Sequence, residues 1–214
     1  MTLASVQAVP PIAASRSGRR RGGFLALWEH GLGDYDVLQG LDWEWLAMDG
    51  AMTNASLVGT KVGKKPTDRG QLGTTRSVRT DGGVPLGGAV EGANRHDFKM
   101  VQETLTSLPL ARPTPTPEQP QGMCREKGDD VAEVRERLAE CGFTAHIQAR
   151  GEEARAITRE AGYRARRWVV ERTHSGMHRF RRLLVRCDKQ VHPYLAWLHL
   201  ACASITYRQS GLLG

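Results

Sequence analysis

The 214-residue sequence is poor in cysteine and aromatic residues, and it has no apolar run long enough for a membrane span. Its four cysteines stand far apart and form no CxxC pair, which excludes a cysteine-based zinc site and a dense disulfide framework. We therefore expect them to be small buried residues in a reducing compartment. The apolar stretch at residues 194–207 contains His199 and predicts a buried C-terminal helix.

The first residues also lack the apolar core of a signal peptide, because the arginines at 19–21 follow the apolar residues instead of preceding them. Residues 1–22 are rich in Ala, Pro, Ser, Gly and Arg, which predicts a disordered basic N-terminus. One domain is expected over residues 23–208, followed by a tail at 209–214. The proline-rich residues 111–121 predict an extended surface crossing within that domain, because proline removes backbone donors.

Positive charge, by contrast, is abundant and unevenly distributed. The formal net charge is +7. Residues 144–190 contain twelve lysines and arginines against five aspartates and glutamates, while the remainder contains eighteen of each class. The whole excess therefore lies in one region, which favours a polyanionic partner. A solvated arginine-rich helix is the alternative interpretation of the same region.

Apolar periodicity predicts strands and helices that follow one another along the chain. Strands are predicted at residues 43–48, 75–80, 84–90, 122–127 and 143–149, the second and third joined by the turn Asp81–Gly83. Helices are predicted at residues 24–38, 96–108, 130–141 and 194–207 and around Glu171. Asp130 and Glu133 form a capping-box-like pattern at the start of the third helix. This order predicts a mixed α/β sheet.

Glu171 is a single carboxylate in an arginine-rich helical segment, residues 167–183. Helical spacing predicts an apolar stripe that is distinct from the face of this carboxylate. The stripe comprises Val169, Thr173, Met177, Phe180 and Leu184, and the other face comprises Glu171, Ser175, His178 and Arg182. Such a helix suits a site where metal and phosphate meet, although an ordinary salt-bridge acid is the alternative. A zinc site built on Glu171, His174 and His178 is only weakly supported, because zinc needs a fuller ligand set.

Three sequence blocks, taken in their order and spacing, resemble DDE-type transposases of the insertion-sequence-five group. They are residues 46–53, residues 66–70 with 84–97, and residues 168–174. The resemblance covers about residues 23–207 and implies a ribonuclease-H-like mixed sheet flanked by helices. It also implies divalent metal ions and the cutting and joining of DNA ends. Relatives normally carry a longer N-terminal region, so we expect a truncated and partly degenerate member.

The resemblance implies a catalytic and metal-binding triad of Asp49, Glu126 and Glu171, holding two Mg²⁺ or Mn²⁺ ions. Carboxylates are the ligands that such hard cations prefer. The middle position departs from the family, in which an aspartate stands where this chain has Glu126. One extra methylene moves a carboxylate by about 1.5 Å, and a displacement of about 1 Å can cost on the order of a hundredfold in rate. Asp130 has its role as a helix cap, and nothing in the sequence positions Asp129.

The same resemblance implies that the basic region contacts DNA backbone phosphates, which set position rather than sequence preference. The residues assigned to this surface are Arg167, Arg172, Arg179, Arg181, Arg182 and His178, with Arg186 as a further candidate. The expected partners are the terminal inverted repeats of a mobile element and its target DNA, bound by a homodimer. The expected location is the bacterial cytoplasm, in association with the nucleoid, with no membrane contact.

Two other functions remain open at the level of the sequence. A catalytically impaired remnant would keep the fold and bind DNA non-specifically without cutting it. Glu126, the truncated N-terminus and Gly176, which stands where relatives usually have tryptophan, motivate this alternative. A nuclease of the same fold with a different substrate is the more distant alternative.

Overall fold

The computed structural model describes residues 22–68, 70–126, 131–148 and 168–213, without the side chains of Asp97, Phe98, Glu126, Gln148 and Trp168. The predicted disordered N-terminus therefore lies outside the described residues, apart from Gly22. Asp129, Asp130 and Arg167 lie outside them as well.

Helices and strands follow one another as the sequence predicts. The first half contains α1 (Gly23–Leu38), β1 (Trp45–Ala55), β2 (Gly63–Lys64), β3 (Leu72–Asp81) and β4 (Val84–Gly92). A 3₁₀ turn (Asp97–Met100) leads into α2 (Val101–Thr106), then β5 (Gly122–Glu126), α3 (Ala132–Glu140) and β6 (Thr144–Gln148). The last part contains α4 (Trp168–Met177), α5 (Arg181–Leu184), β7 (Val185–Arg186) and α6 (Val191–Gln209).

The strands of the described residues form one mixed sheet in the order β2-β3-β1-β5-β6, with β4 also paired to β3 and β7 also paired to β1. β3 runs antiparallel to both β1 and β4, whereas β5 and β6 run parallel to β1. The predicted mixed α/β sheet flanked by helices is thus confirmed. The predicted hairpin is confirmed too: Gly82 and Gly83 form its turn with φ values of +54° and +103°, which favour glycine.

Helices cover both faces of the sheet. Successive strand residues point to opposite faces, and two β3 arginines show which helices lie where. Arg76 donates to His174 of α4 and to Tyr194 of α6. Arg79 donates to the Leu105 carbonyl of α2 on the other face. A core of apolar side chains from both layers and the central strands surrounds these contacts, and every β3 residue except the partly buried Leu72 is buried.

Several predicted boundaries are wrong. The first strand does not end at Asp49 but continues to Ala55, because its second half pairs antiparallel with β3 and parallel with β7. The helix predicted at 96–108 is a 3₁₀ turn followed by a six-residue helix. Helix α3 has Val131 as its N-cap, one residue later than the predicted capping box, and the side chain of the predicted cap, Asp130, lies outside the described residues.

The expectation of buried cysteines holds only for Cys202. Cys124 and Cys141 are partly buried, Cys187 is exposed, and the four cysteines form no disulfide with one another. The predicted C-terminal helix is confirmed as α6, whose buried side chains include Tyr194, Leu198 and Cys202. Within the described ranges, no helix combines the length and apolarity needed to cross a bilayer.

Candidate active site

Asp49 lies in the middle of β1 on the face covered by α4 and α6. Thr53, four residues further along β1, accepts a hydrogen bond from Arg76 on that face, and strand alternation places residues 49 and 53 on the same side. Asp49 is half-buried. Its Oδ1 accepts a hydrogen bond of 2.8 Å from the backbone N–H of Gly50, so a local contact orients the carboxylate.

The backbone of Glu126 lies in the strand next to Asp49. The parallel pairing of β1 and β5 runs from Trp45 opposite Gly122 to Ala47 opposite Cys124. Two residues beyond that last pair, β1 reaches Asp49 and β5 reaches Glu126. The two positions therefore occupy equivalent steps of neighbouring parallel strands. The Glu126 side chain lies outside the described residues.

Glu171 is an exposed residue in the first turn of α4. The residues that follow it fasten the helix to the sheet. Arg172 Nη2 donates to the Gly82 carbonyl at 2.8 Å, and Thr173 Oγ1 donates to the Gly83 carbonyl at 2.9 Å. The turn between β3 and β4 therefore sets the position of the helix end that bears Glu171.

His174 connects the same helix to β1, next to Asp49. Its Nε2 lies 3.3 Å from the backbone oxygen of Asp49, and Arg76 Nε donates to its Nδ1 at 3.4 Å. The side chain is buried, and burial, together with the charges of Arg76 and His178, lowers the pKa of His174 to about 3. The imidazole is therefore neutral at physiological pH. It is a contact between the two elements that bear Asp49 and Glu171.

The predicted apolar stripe of this helix is only partly right. Thr173 and Met177 are buried as expected, but Leu184 is exposed, because α4 ends at Met177 and a separate short helix begins at Arg181. Val170 and His174 complete the buried face instead. Sequence reasoning missed His174 as a core residue, although its position next to Thr173 and three residues before Met177 carries the signal.

Arg76 is a second residue behind the candidate site that the sequence did not predict. It is fully buried, and its Nη1 donates to the Leu183 carbonyl at 2.9 Å, to Thr53 Oγ1 at 3.1 Å and to the Tyr194 hydroxyl at 3.4 Å. Its Nη2 has no hydrogen-bond partner within the part of the chain that the structure describes. This guanidinium joins α4, α5, α6 and β1 behind the candidate site.

The predicted DNA-contacting residues have different surroundings. Arg172, Arg179, Arg181, Arg182 and His178 are exposed, and Arg167 lies outside the described residues. Besides the Arg172 contact with the hairpin turn, Arg182 forms an ion pair with Asp188 at 3.3 Å. Burial, and then the charge of Arg76, lower the pKa of His178 and so reduce its cationic fraction at neutral pH.

The prediction that Arg186 contacts a DNA phosphate is wrong. It is fully buried, and its guanidinium donates to the backbone oxygens of Thr60, Lys61 and Asp188 and to Thr74 Oγ1. Every one of these acceptors belongs to the protein, so Arg186 stabilises the fold and presents no charge to a ligand.

A small cavity of about 120 Å³ lies beside the first turn of α4, lined by Val169, Ala47, Trp45 and the end of β3. Asp81 lines it as well and accepts a hydrogen bond from the Asp42 backbone N–H at 3.0 Å. Burial, followed by the charges of Asp42 and Asp36, raises the pKa of Asp81 to about 6.

The donor set at the site fits a hard divalent cation. Asp49 and Glu171 offer carboxylate oxygens, the ligands that Mg²⁺ and Mn²⁺ prefer. Among the described residues, no three histidine, cysteine, aspartate or glutamate side chains lie close enough together to hold a metal ion. The third predicted ligand is the side chain of Glu126, which lies outside the described residues.

Comparison with known proteins identifies the family. Residues 60–206 match the family model described as "Transposase DDE domain". The chain is 32% identical over 151 residues to a Burkholderia cepacia protein described as "Putative transposase for insertion sequence element IS402", and the match covers 69% of each chain.

Among solved structures, the chain is similar to the catalytic domain of Mos1 mariner transposase, with 9% identity, a TM-score of 0.42 and coverage of 87% of this chain and 89% of that one. It is also similar to the Mos1 mariner paired end complex with Mn, with 13% identity and a TM-score of 0.41. The match covers 87% of this chain and 59% of the chain in that complex. The length of the family match and the identity to the insertion-sequence protein lead to one conclusion: the chain belongs to the family of transposase DDE domains.

Proposed function

We propose that the chain is the catalytic domain of an insertion-sequence transposase that cuts DNA ends and joins them to target DNA. Asp49, Glu126 and Glu171 are the proposed acidic triad. The supporting observation is the register of β1 and β5, which brings positions 49 and 126 to equivalent steps of neighbouring strands. The contact of α4 with the Asp49 backbone supports the third member, because Glu171 lies one helical turn before His174.

The acidic and the basic residues would have different roles in the reaction. The three carboxylates would hold two Mg²⁺ or Mn²⁺ ions, which when bound activate the attacking oxygen and relieve charge on the phosphate. Two of the proposed acids belong to the neighbouring strands β1 and β5, and the contacts of α4 with the hairpin turn hold the helix that bears the third. The exposed arginines of residues 179–182 would bind the DNA backbone and set its position.

The proposed partners are the terminal inverted repeats of the element and its target DNA, and the proposed location is the bacterial cytoplasm at the nucleoid. A homodimer on DNA stays a prediction. Membership of the DDE-domain family does not favour the remnant that binds DNA without cutting it.

The test is a cleavage assay with Mg²⁺ or Mn²⁺ on plasmid DNA that carries the repeats flanking the gene. Asp49→Asn and Glu171→Gln should each reduce nicking by on the order of a thousandfold or more, because ligands of one metal site act together. Glu136→Gln removes an exposed carboxylate on α3 and should leave the rate unchanged. A folded parent chain that nicks no DNA with either metal would contradict the proposal.

A second variant tests the effect of having glutamate instead of aspartate at the middle position of the triad. Glu126→Asp shortens the side chain to the length found in relatives and should increase the nicking rate by up to about a hundredfold. The measurement is the same assay, with the parent alongside. An unchanged or lower rate would show that this chain already places the longer carboxylate correctly.

A further inference from the structure

We infer that His174 is a positioning residue that orients the Asp49 carboxylate and fixes the Glu171 helix against it, through a hydrogen-bonded chain that begins at Arg76. The inference rests on the proposed function, because it assumes that Asp49 and Glu171 serve one site. The hydrogen-bonded chain itself is a property of the fold.

The donors and acceptors around His174 determine which ring nitrogen carries the proton. A guanidinium has only donors, so the bond from Arg76 Nε requires His174 Nδ1 to be an acceptor. A neutral imidazole then carries its hydrogen on Nε2. Nε2 faces the backbone oxygen of Asp49, which can only accept. Both neighbours therefore select the same tautomer.

The chain of contacts continues from His174 to the Asp49 carboxylate. The carbonyl of Asp49 and the N–H of Gly50 belong to one planar peptide unit. His174 Nε2 contacts the oxygen of that peptide unit. The N–H of the same unit, which belongs to Gly50, donates to Asp49 Oδ1 at 2.8 Å. An imidazole that fixes the plane of this peptide therefore also fixes the donor that orients the carboxylate.

The Arg76 end of this series of hydrogen bonds is held rigidly. The Arg76 guanidinium is fully buried and is fastened by Thr53 of β1, by the Leu183 carbonyl of α5 and by the Tyr194 hydroxyl of α6. Three elements thus fix the donor that sets the His174 ring. Because Glu171 precedes His174 by three residues on α4, the same ring fixes the distance of that helix from β1.

Two amide substitutions separate the two ends of the imidazole. A glutamine amide reaches roughly as far as Nε2, so His174→Gln can still donate to the Asp49 oxygen. An asparagine amide reaches only as far as Nδ1, so His174→Asn keeps the Arg76 side and loses the Asp49 side. Both variants are neutral and polar, and each is the control for the other.

In single-turnover cleavage, His174→Asn should lose on the order of a hundredfold in rate, the scale of a 1 Å misplacement, and His174→Gln should stay within about tenfold of the parent. The melting temperatures of the two variants should be similar. Equal losses in both variants, or no loss in His174→Asn, would overturn the inference.

A measurement without DNA or metal tests the hydrogen-bonded chain by itself. In ¹⁵N NMR spectra of the folded parent at neutral pH, His174 should show a protonated Nε2 and an unprotonated Nδ1. The opposite tautomer would overturn the inference whatever the activity. A parent with the expected tautomer but no cleavage would contradict the proposed function and leave the chain of contacts in place.

Discussion

Arginines in the interior are the main surprise among the individual residues, since arginine is almost never fully buried unless it is paired. Within the described ranges these are Arg76, Arg79, Arg125 and Arg186. They do not share one environment. Nε, Nη1 and Nη2 of Arg186 each donate a hydrogen bond to a protein oxygen. By contrast, Nε and Nη2 of Arg79 lack hydrogen-bond partners in the described structure. Burial, and then the charge of Arg112, lower the pKa of Arg79 to about 9.

Asp81 gives a prediction about pH. It is 6% exposed, and its pKa is raised from 3.8 to about 6, so its ionisation is less favourable in the folded chain than in the unfolded one. The free energy of unfolding should therefore rise as the pH falls from above 6 towards 4. Asp81→Asn keeps an oxygen for the Asp42 N–H and should stabilise the chain at pH 8 by up to about 3 kcal/mol.

Denaturant unfolding of both chains at pH 8 and pH 4 is the measurement. The advantage of the variant should shrink towards zero at pH 4, where the folded parent is already protonated at Asp81. A gap that is the same at both pH values would show that the substitution acts through packing and not through ionisation.

At the level of the elements, α4 contains a glycine that the fold does not require. A Cβ at Gly176 would lie 3.5 Å from Ile205, an ordinary contact. Gly176→Ala should therefore raise the free energy of unfolding by roughly 0.5–1 kcal/mol through helix propensity.

Gly31 of α1 is the matched control for that substitution. There a Cβ would lie 2.8 Å from the ring of Tyr207 on α6, closer than such atoms approach. Gly31→Ala should destabilise the chain, because the close packing of α1 on α6 depends on the missing side chain. Thermal unfolding of both variants is the measurement, and a stabilising Gly31→Ala would contradict the close approach of α1 to Tyr207.

For the whole molecule, the uneven charge of the sequence gives a prediction about DNA binding. Replacing Arg179 and Arg181 by glutamine should weaken the salt dependence of binding, lowering the slope of log K against log salt by about 2. Replacing Arg135 and Arg137 on α3 removes the same charge from another element. That control should leave the slope nearly unchanged, and equal effects of the two pairs would argue against a DNA surface near residues 179–182.

The sequence predicted the alternation of strands and helices because its signals there are local. The glycines of the β3–β4 turn and the apolar spacing of α1, α3 and α6 are examples. The second half of β1 was missed, because residues such as Gly50 and Asn54 favour a strand only when distant partners pair with them. His174 and Arg76 were missed for a related reason: polar side chains are assigned to the surface unless their partners are known.

The placement of guanidinium groups in the interior has a practical consequence for engineering heat resistance. The usual route, filling a core with larger hydrocarbon side chains, would here remove donors and leave carbonyl oxygens such as those of Thr60 and Asp188 without their arginine partner. A thermostable version of this enzyme should therefore retain its interior arginines and draw its improvements from helix positions such as residue 176, where a methyl group has room.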